Sequence, residues 1–246
     1  MQVAIAMYDD VMYDDEIMEI LVMKGADVNA QGGLFGNALE AAAYTGSMRA
    51  VEYLLEIGAN VNAKGGHWGT ALQAAAGSRN IGIVNLLLEK GADVQKQGGV
   101  YGTALQAASR VGDEDIVEIL LDQGAEVNAQ GGFWNTALQA ASSRRDRNIS
   151  EMLLKHGADV NLQGGAYGSA LNAAAIDGNL GIMNLLLRHG ADPNAYIWVW
   201  PRRYRWNIAL WWSQGTVWKP ASGIIMSACV LSLAGWRLWK RLFVLK

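Results

Sequence analysis

A glycine-rich stretch that returns at one fixed interval restricts this chain more than any other feature of its sequence. Copies of it begin at Gly25, Gly58, Gly91, Gly124 and Gly157, and a truncated copy begins at Gly190. The step is 33 residues each time. A period in this range is typical of a solenoid, in which each unit is too small to close its own core and buries its apolar face against its neighbours. The fold of the chain is therefore the fold of one unit, repeated.

Each copy leads into a predicted helix start. The first residue there belongs to the class whose side chain accepts a hydrogen bond from a free helix N–H; the five are Asn37, Thr70, Thr103, Thr136 and Ser169. Three positions later come Glu40, Gln73, Gln106, Gln139 and Asn172. This spacing predicts a capping box, in which the later side chain reaches back to the cap N–H. Asn172 is too short to complete the box well.

Two helices are predicted in each unit. The first is short and alanine-rich, and it ends near Gly46, Gly112 or Gly178, where glycine can take a left-handed cap conformation. Arg79 and Arg145 occupy that slot in the other two units. The second helix has apolar residues at helical spacing, as in Val51/Leu54/Leu55, Val84/Leu87/Leu88, Val117/Leu120/Leu121 and Met183/Leu186/Leu187. It stops at the glycine that opens the next copy, and the Q-G-G stretch forms an extended turn.

The motifs [NTS]-A-L-[EQN]-A-A and L-L-x-x-G-A-[DNE]-[VP], at this period, resemble the ankyrin repeat over residues 14–195. The resemblance implies an all-α ankyrin-repeat solenoid. Its predicted parts are a degenerate N-terminal capping repeat at 1–36 and units at 37–69, 70–102, 103–135, 136–168 and, in part, 169–195. The form N-A-Q-G-G-x-aromatic-G-[TN]-A-L-Q-A-A looks like the arrays attached to fungal NLR-like NTPases, although this chain has no G-x-x-x-x-G-K-[ST] phosphate loop.

Two departures from the family pattern stand out. The usual T-P-L-H is T-A-L-Q here, so the cap must replace what the proline provides. The residue two positions before the cap, normally glycine, is aromatic in every unit: Phe35, Trp68, Tyr101, Trp134 and Tyr167. These aromatic side chains either stack on adjacent turns and hold them in line or contact a partner directly.

Comparing the units with one another indicates where a partner would bind. Residues vary at the turn tip just before the aromatic and at the end of the first helix, and the family resemblance places both on one concave face. The resulting candidate partner-binding residues are Leu34, Tyr44, His67, Trp68, Val100, Tyr101, Arg110, Phe133, Trp134, Arg144, Tyr167 and Ile176. The alternative is that the variable positions are solvated surface without a role. The expected function is a non-catalytic scaffold for a protein partner.

Charge and composition argue against other classes of function. Residues 1–195 carry 12 Lys and Arg against 23 Asp and Glu, and this net −11 repels nucleic-acid phosphates. The sequence has no nucleophile–His–acid arrangement and no zinc-ligand spacing, so we expect no catalytic residue, no metal ion, no cofactor and no small-molecule substrate. The single cysteine and the acidic start, which lacks a signal-peptide pattern, favour an intracellular protein, cytoplasmic or nuclear.

The repeat stops after residue 195, and residues 196–246 form a tail of a different composition. The tail holds eight of the ten tryptophans and eight Lys and Arg, with no acidic residue. Three interpretations remain open. The uncharged stretch 221–236 is a candidate hydrophobic helix that would make the chain a membrane-associated adaptor, although 16 residues of helix span only about 24 Å. Alternatively, the tail covers the last unit, or it is a read-through product outside the evolved fold.

Overall fold

The computed structural model describes residue 20 and residues 22–194. Residues 38–188 form ten helices in five antiparallel pairs: α1 (Ala38–Thr45), α2 (Met48–Glu56), α3 (Ala71–Gly77), α4 (Ile81–Glu89), α5 (Ala104–Val111), α6 (Glu114–Asp122), α7 (Ala137–Ser142), α8 (Arg147–Lys155), α9 (Ala170–Ile176) and α10 (Leu180–Arg188). The odd-numbered helices pack against one another in a row and each packs on the even-numbered helix that follows it. The predicted all-α solenoid is confirmed.

Alanine determines how closely the inner, odd-numbered helices approach. Ala41–Ala43 and Ala74–Ala76 are 0% exposed, because each inner helix is enclosed by the neighbouring inner helices and by the outer helix of its own unit. Alanine favours helix and adds little width, so the inner layer is thin and continuous. One leucine per inner helix fills the space between the layers, at Leu39, Leu72, Leu105, Leu138 and Leu171.

The outer helices bury the apolar stripe that the sequence predicts, with one adjustment. Val51 and Leu54 are fully buried, whereas Leu55 is only partly buried against the core. Each outer helix ends in a pair of nested backbone hydrogen bonds around a left-handed glycine. In the first unit, Ala59 N–H donates to Leu54 O and Gly58 N–H donates to Leu55 O. The chain then turns sharply toward the next unit.

The Q-G-G stretch is a tight hairpin. In each unit the first glycine forms an isolated antiparallel bridge with the residue four positions later, as in Gly98 and Gly102. The hairpins also bond to one another, tip to tip: the N–H of His67 donates to Leu34 O, Val100 N–H to His67 O, Phe133 N–H to Val100 O and Ala166 N–H to Phe133 O. The four bonds are 2.7–2.9 Å long. They form a ladder that runs along the whole array.

The second glycine of each pair is required by this ladder. Gly99 has φ +59°, and a Cβ added there would overlap the carbonyl group of Trp68 in the preceding hairpin. A side chain at this position would therefore push two hairpins apart. The same overlap occurs at Gly66, Gly132 and Gly165, which explains why the second glycine returns in these units.

On the other side of each hairpin, the D-x-N motif joins successive units. Asn29 donates through Nδ2 to Gly58 O at 3.1 Å and accepts through Oδ1 from the N–H of Asn60 at 2.8 Å. Asn62 and Asn161 make the same pair of bonds to the units that follow them. One short side chain thus satisfies a helix-end carbonyl and a turn N–H across each junction.

The tail at 196–246, including the candidate helix 221–236, lies outside the described residues, as does most of the proposed capping repeat at 1–36. None of the helices in the described ranges combines the length and the hydropathy that a membrane crossing needs.

We predict that Gly99→Ala destabilises the array far more than Gly91→Ala. Gly91 is also left-handed, at φ +83°, but no atom lies within 4 Å of a Cβ added there. Gly91→Ala should cost about 1–2 kcal/mol from backbone strain alone, and Gly99→Ala at least about 2 kcal/mol more because the hairpins separate. Urea unfolding followed by circular dichroism measures both. Equal losses would contradict a role for the inter-hairpin bonds.

Candidate functional site

The tips of the five hairpins form one row along the array. Leu34 and Phe133 are 67% and 49% exposed, and His67 is exposed as well. Val100 and Ala166 are half-buried. The backbone ladder fixes the spacing of these side chains, so the row is a regular set of exposed groups on a stiff support.

Beneath the tips, the aromatic residues stack along the array. The rings of Trp68 and Tyr101 lie 4.9 Å apart and nearly parallel, at 9°, and Tyr101 and Trp134 lie 5.2 Å apart at 20°. Phe35 joins this row through Tyr44, which contacts both Phe35 and Trp68. Stacking between adjacent turns, one of the two sequence-based interpretations, is confirmed for Trp68, Tyr101 and Trp134. We call Phe35, Tyr44, Trp68, Tyr101 and Trp134 the aromatic row.

The aromatic row ends before the last hairpin. Tyr167 contacts the edge of the exposed Phe133 ring at 6.2 Å instead of continuing the stack. Phe133 also lies edge-on to Trp134, at 4.9 Å. The surface changes here from stacked rings to an exposed aromatic tip.

The ends of the inner helices meet the aromatic row, as the family resemblance implies. Tyr44, at the end of α1, packs on Trp68 at 4.8 Å. In the next unit the same position is Gly77, and a Cβ there would lie 2.6 Å from Cζ3 of Trp68, so the ring occupies the side-chain space. In the third unit it is Arg110, whose Cζ lies 5.1 Å from the centre of the Trp134 ring. Tips, rings and helix ends thus form one surface.

Within the described part of the chain, Arg110 forms no ion pair with an acidic side chain. Its Nε is buried and has no hydrogen bond, and its contacts in the described residues are with the aromatic rings. Trp134 is 9% exposed, and its Nε1 is also buried without a hydrogen bond. Burial raises the pKa of the Tyr101 hydroxyl, and the charge of Arg110 opposes that shift.

Two candidate residues lie at the margins of this surface. Arg144 is exposed and folds over the end of α5, where its Nε would lie 2.7 Å from a Cβ built on Gly112. Ile176, in the last unit, is half-buried and makes no ring contact with the aromatic row in the described residues. The candidate residues are therefore brought together in the first four units, and their role in binding stays a prediction.

The capping-box prediction is half right. All five cap side chains accept the N–H three positions on, but only Gln106 reaches back to its own cap, Thr103, at 3.0 Å. Gln73 donates to Gly102 O in the next hairpin at 2.6 Å, and Gln106 and Gln139 donate to the following hairpins in the same way. The amide nitrogen supplies the donor that these buried carbonyls need, and in Gln106 the amide oxygen accepts the cap N–H at the same time. The side chain thus joins units and positions the aromatic row.

Glu40 makes the corresponding junction with opposite polarity. Its Oε1 accepts from the N–H groups of Trp68 and Gly69 at 3.0 and 3.2 Å, while Oε2 is buried without a hydrogen-bond partner. Burial raises the pKa of Glu40 to about 7, although the two N–H donors lower it. Protonation of Oε2 would create a donor where the other units have an amide.

Sequence reasoning missed the role of Arg79 and Arg145. Both are left-handed, at φ 63° and 66°, in the slot that glycine holds elsewhere. Arg79 donates to Val111 O and Arg145 to Asp177 O, at the C-terminal end of the inner helix of the next unit. A cation is favourable at this negative end of a helix. The sequence signal that could have revealed this role is an arginine, in two alternate units, at the position where the other units have the helix-ending glycine.

Within residues 20 and 22–194, no three His, Cys, Asp or Glu side chains cluster in a way that could hold a metal ion. The surface instead presents aromatic rings, an unpaired guanidinium and exposed apolar tips.

We predict that Tyr101→Ala destabilises the array more than Tyr167→Ala. Both side chains are half-buried, but Tyr101 has a ring on each face and Tyr167 meets only one ring edge. The difference in unfolding free energy should be about 1–2 kcal/mol. Urea unfolding of the two variants measures it. A larger loss for Tyr167→Ala would show that the stack contributes little.

We predict that Glu40→Gln removes a pH dependence of stability. The pKa of Glu40 is raised from 4.5 to about 7, so the folded state binds the proton more tightly. The contribution of Glu40 to stability is therefore fully present below pH 4.5 and is lost as the pH rises through 7. At pH 5 the variant should resemble the wild type, and at pH 8 it should be more stable by on the order of 1–3 kcal/mol.

Thermal unfolding across this pH range measures the effect, with Glu89→Gln, an exposed carboxylate on α4, as the control. A Glu40→Gln difference that stays constant from pH 5 to pH 8 would contradict the shifted pKa.

Comparison with known proteins supports the fold. The ankyrin-repeat family model, which comprises three copies of the repeat, matches residues 5–98, 67–131 and 104–197. A search of curated proteins finds no match. Because the matched ranges together cover residues 5–197, which is most of the chain and includes all five described helix pairs, this chain belongs to the ankyrin-repeat family.

Proposed function

We propose that this chain is a non-catalytic recognition module that binds a partner protein along the surface formed by the hairpin tips and the inner-helix ends. Ankyrin repeats are in general protein–protein interaction modules. The observation that carries the proposal is the combination of exposed apolar tips, Leu34 and Phe133, with an unpaired cation, Arg110, on one rigid face. Aromatic residues and arginine are enriched where proteins bind one another.

The rigidity of the support favours binding. The tips are held by the backbone ladder, and the rings beneath them are packed face to face. A surface that is already ordered loses little conformational entropy when a partner docks, so more of the contact energy becomes affinity. The residues that vary between units provide selectivity, while the repeated residues maintain the support.

The extent of the surface suits a specific complex. A stable interface buries about 800 Å² on each partner. The candidate residues run from Leu34 to Ile176 across five units, which offers a continuous face for an extended segment or a convex domain.

A membrane-associated adaptor is the second candidate function. It depends on the uncharged stretch 221–236, flanked by Lys219 and Arg237, which lies outside the described residues. In this case the array would recruit a partner to a membrane surface. Persistence of the full chain in the supernatant after high-speed centrifugation of a detergent-free lysate would exclude it.

We predict that alanine at His67, Arg110, Phe133 and Arg144 together abolishes partner capture and leaves the helical circular dichroism unchanged. These side chains are exposed or half-exposed, and none donates or accepts a side-chain hydrogen bond that holds the fold. Cross-linking and affinity capture from cells, compared between variants by mass spectrometry, gives the readout.

The matched control carries four alanines on the outer helices, at Asn85, Glu89, Glu118 and Asp122, all of which are exposed. Proteins that the wild type and this control both capture, but that the four-alanine variant at His67, Arg110, Phe133 and Arg144 does not capture, are the partners. If the outer-helix control loses proteins that the wild type captures, and the variant at His67, Arg110, Phe133 and Arg144 still captures them, the binding face is formed by the outer helices.

A further inference from the structure

We infer that the partner segment bound by this surface is an acidic peptide, and that Arg110 binds one of its carboxylates on the face of the aromatic row. This inference rests on the proposed function and names the chemistry of the partner. It follows from the hydrogen-bonding groups that the surface leaves unused, from the surrounding charges and from the composition of the rest of the chain.

The unused groups at the centre of the surface are both donors. Arg110 Nε and Trp134 Nε1 are buried without hydrogen-bond partners, and the guanidinium of Arg110 lies over the Trp134 ring. Neither group can accept a hydrogen bond. These two atoms are closed to solvent, but the Arg110 side chain as a whole is only half-buried, so a ligand can approach the accessible part of its guanidinium. A carboxylate matches the planar fork of arginine, and two hydrogen bonds can form at once.

The ring fixes the guanidinium for this purpose. A cation 5.1 Å from an indole centre is attracted to the ring face, which restricts the rotamers of the arginine before any ligand arrives. Phe133, packed edge-on against the same indole, is 49% exposed and supplies an apolar contact beside the charge. The pair suits a peptide in which acidic and aromatic residues alternate.

The charges around Arg110 reinforce the preference. Arg144, which belongs to the following unit, folds over the end of α5 near Gly112 and adds a second exposed cation. The acids at this end of the units, Asp113 and Asp146, accept the backbone N–H groups of Ile116 and Ile149 through Oδ1 and thus cap the outer helices. The other oxygen of Asp146, Oδ2, lies near Arg144 Nε, since both atoms are within 3.1 Å of a Cβ built on Gly112. Arg110 is therefore the cation on which the inference depends, in a body that is acidic overall.

The tail of the chain has the wrong charge to occupy this site. Residues 196–246 carry eight Lys and Arg and no acidic residue. The N-terminal segment at 1–19 has the proposed chemistry, with six Asp and Glu, two tyrosines and no Lys or Arg. It is therefore the competing occupant that an experiment must separate from a partner.

The test uses the full chain and a short fluorescein-labelled peptide of alternating glutamate and tyrosine, with fluorescence anisotropy as the readout. A peptide with glutamine in place of glutamate is its neutral counterpart. We expect the acidic peptide to bind roughly ten- to a hundredfold more tightly than the neutral one, since charge-assisted hydrogen bonds are lost in the latter.

The matched protein variants are Arg110→Gln and Arg188→Gln. Arg188 is an exposed arginine at the end of the outer helix α10, so both variants remove one positive charge. Arg110→Gln should weaken binding of the acidic peptide at least about tenfold and bring it close to that of the neutral peptide, whereas Arg188→Gln should leave it unchanged. Circular dichroism confirms that both variants fold.

Three outcomes overturn the inference. Equal affinity for the two peptides, or an equal loss of affinity in the Arg110→Gln and Arg188→Gln variants, would show that Arg110 does not bind a carboxylate. If the peptide binds only after Asp9, Asp10, Asp14 and Asp15 are changed to asparagine in the full chain, the occupant is the N-terminal segment and not a partner. The four-alanine variant of the preceding subsection can lose the cellular partners while Arg110→Gln still binds the acidic peptide unchanged. This result would retain the proposed function and reject the acidic partner.

Discussion

Every unit of this array depends on the contact that one inner helix makes with the hairpin of the unit after it. A unit of 33 residues cannot enclose its own core, so its polar backbone groups as well as its apolar face must be satisfied by a neighbour. Gln73 shows how this works: its amide enters the next hairpin and bonds the carbonyl groups of Lys96, Gly98 and Gly102. The hairpin is thereby closed by a side chain that belongs to another unit.

This dependence also produces the binding face. The same junctions that hold the hairpins align the rings of Trp68, Tyr101 and Trp134, and the aligned rings in turn hold Arg110. The recognition residues are therefore positioned by structural residues directly beneath them. A change in a junction would move the face as a whole, whereas a change at a tip would alter one contact.

Where a residue departs from the repeat pattern, a hydrogen bond to a neighbouring unit compensates for the change. Arg79 and Arg145 adopt the left-handed backbone conformation that glycine has in the other units. Their guanidinium groups donate hydrogen bonds to the carbonyl groups at the end of the next inner helix. Asn135 is left-handed where the other units have glycine, and its Nδ2 donates to Gln163 O at 3.2 Å. Glu40 accepts two N–H groups where glutamine donates elsewhere. Strain or an unusual charge is tolerated where a second contact offsets its cost.

The sequence by itself determined the period, the helix pairs, the caps and the glycine turns, because these depend on interactions within a few residues of one another. Only the tertiary structure decided where the side chains of Gln73 and Gln139 go, because the hairpin carbonyls that their Nε2 atoms bond are in place only after the next unit has docked. The stack that ends at Trp134 and the placement of Arg110 over that ring are decided in the same way. Both depend on how residues about one repeat apart meet across a junction, and local periodicity does not contain that geometry.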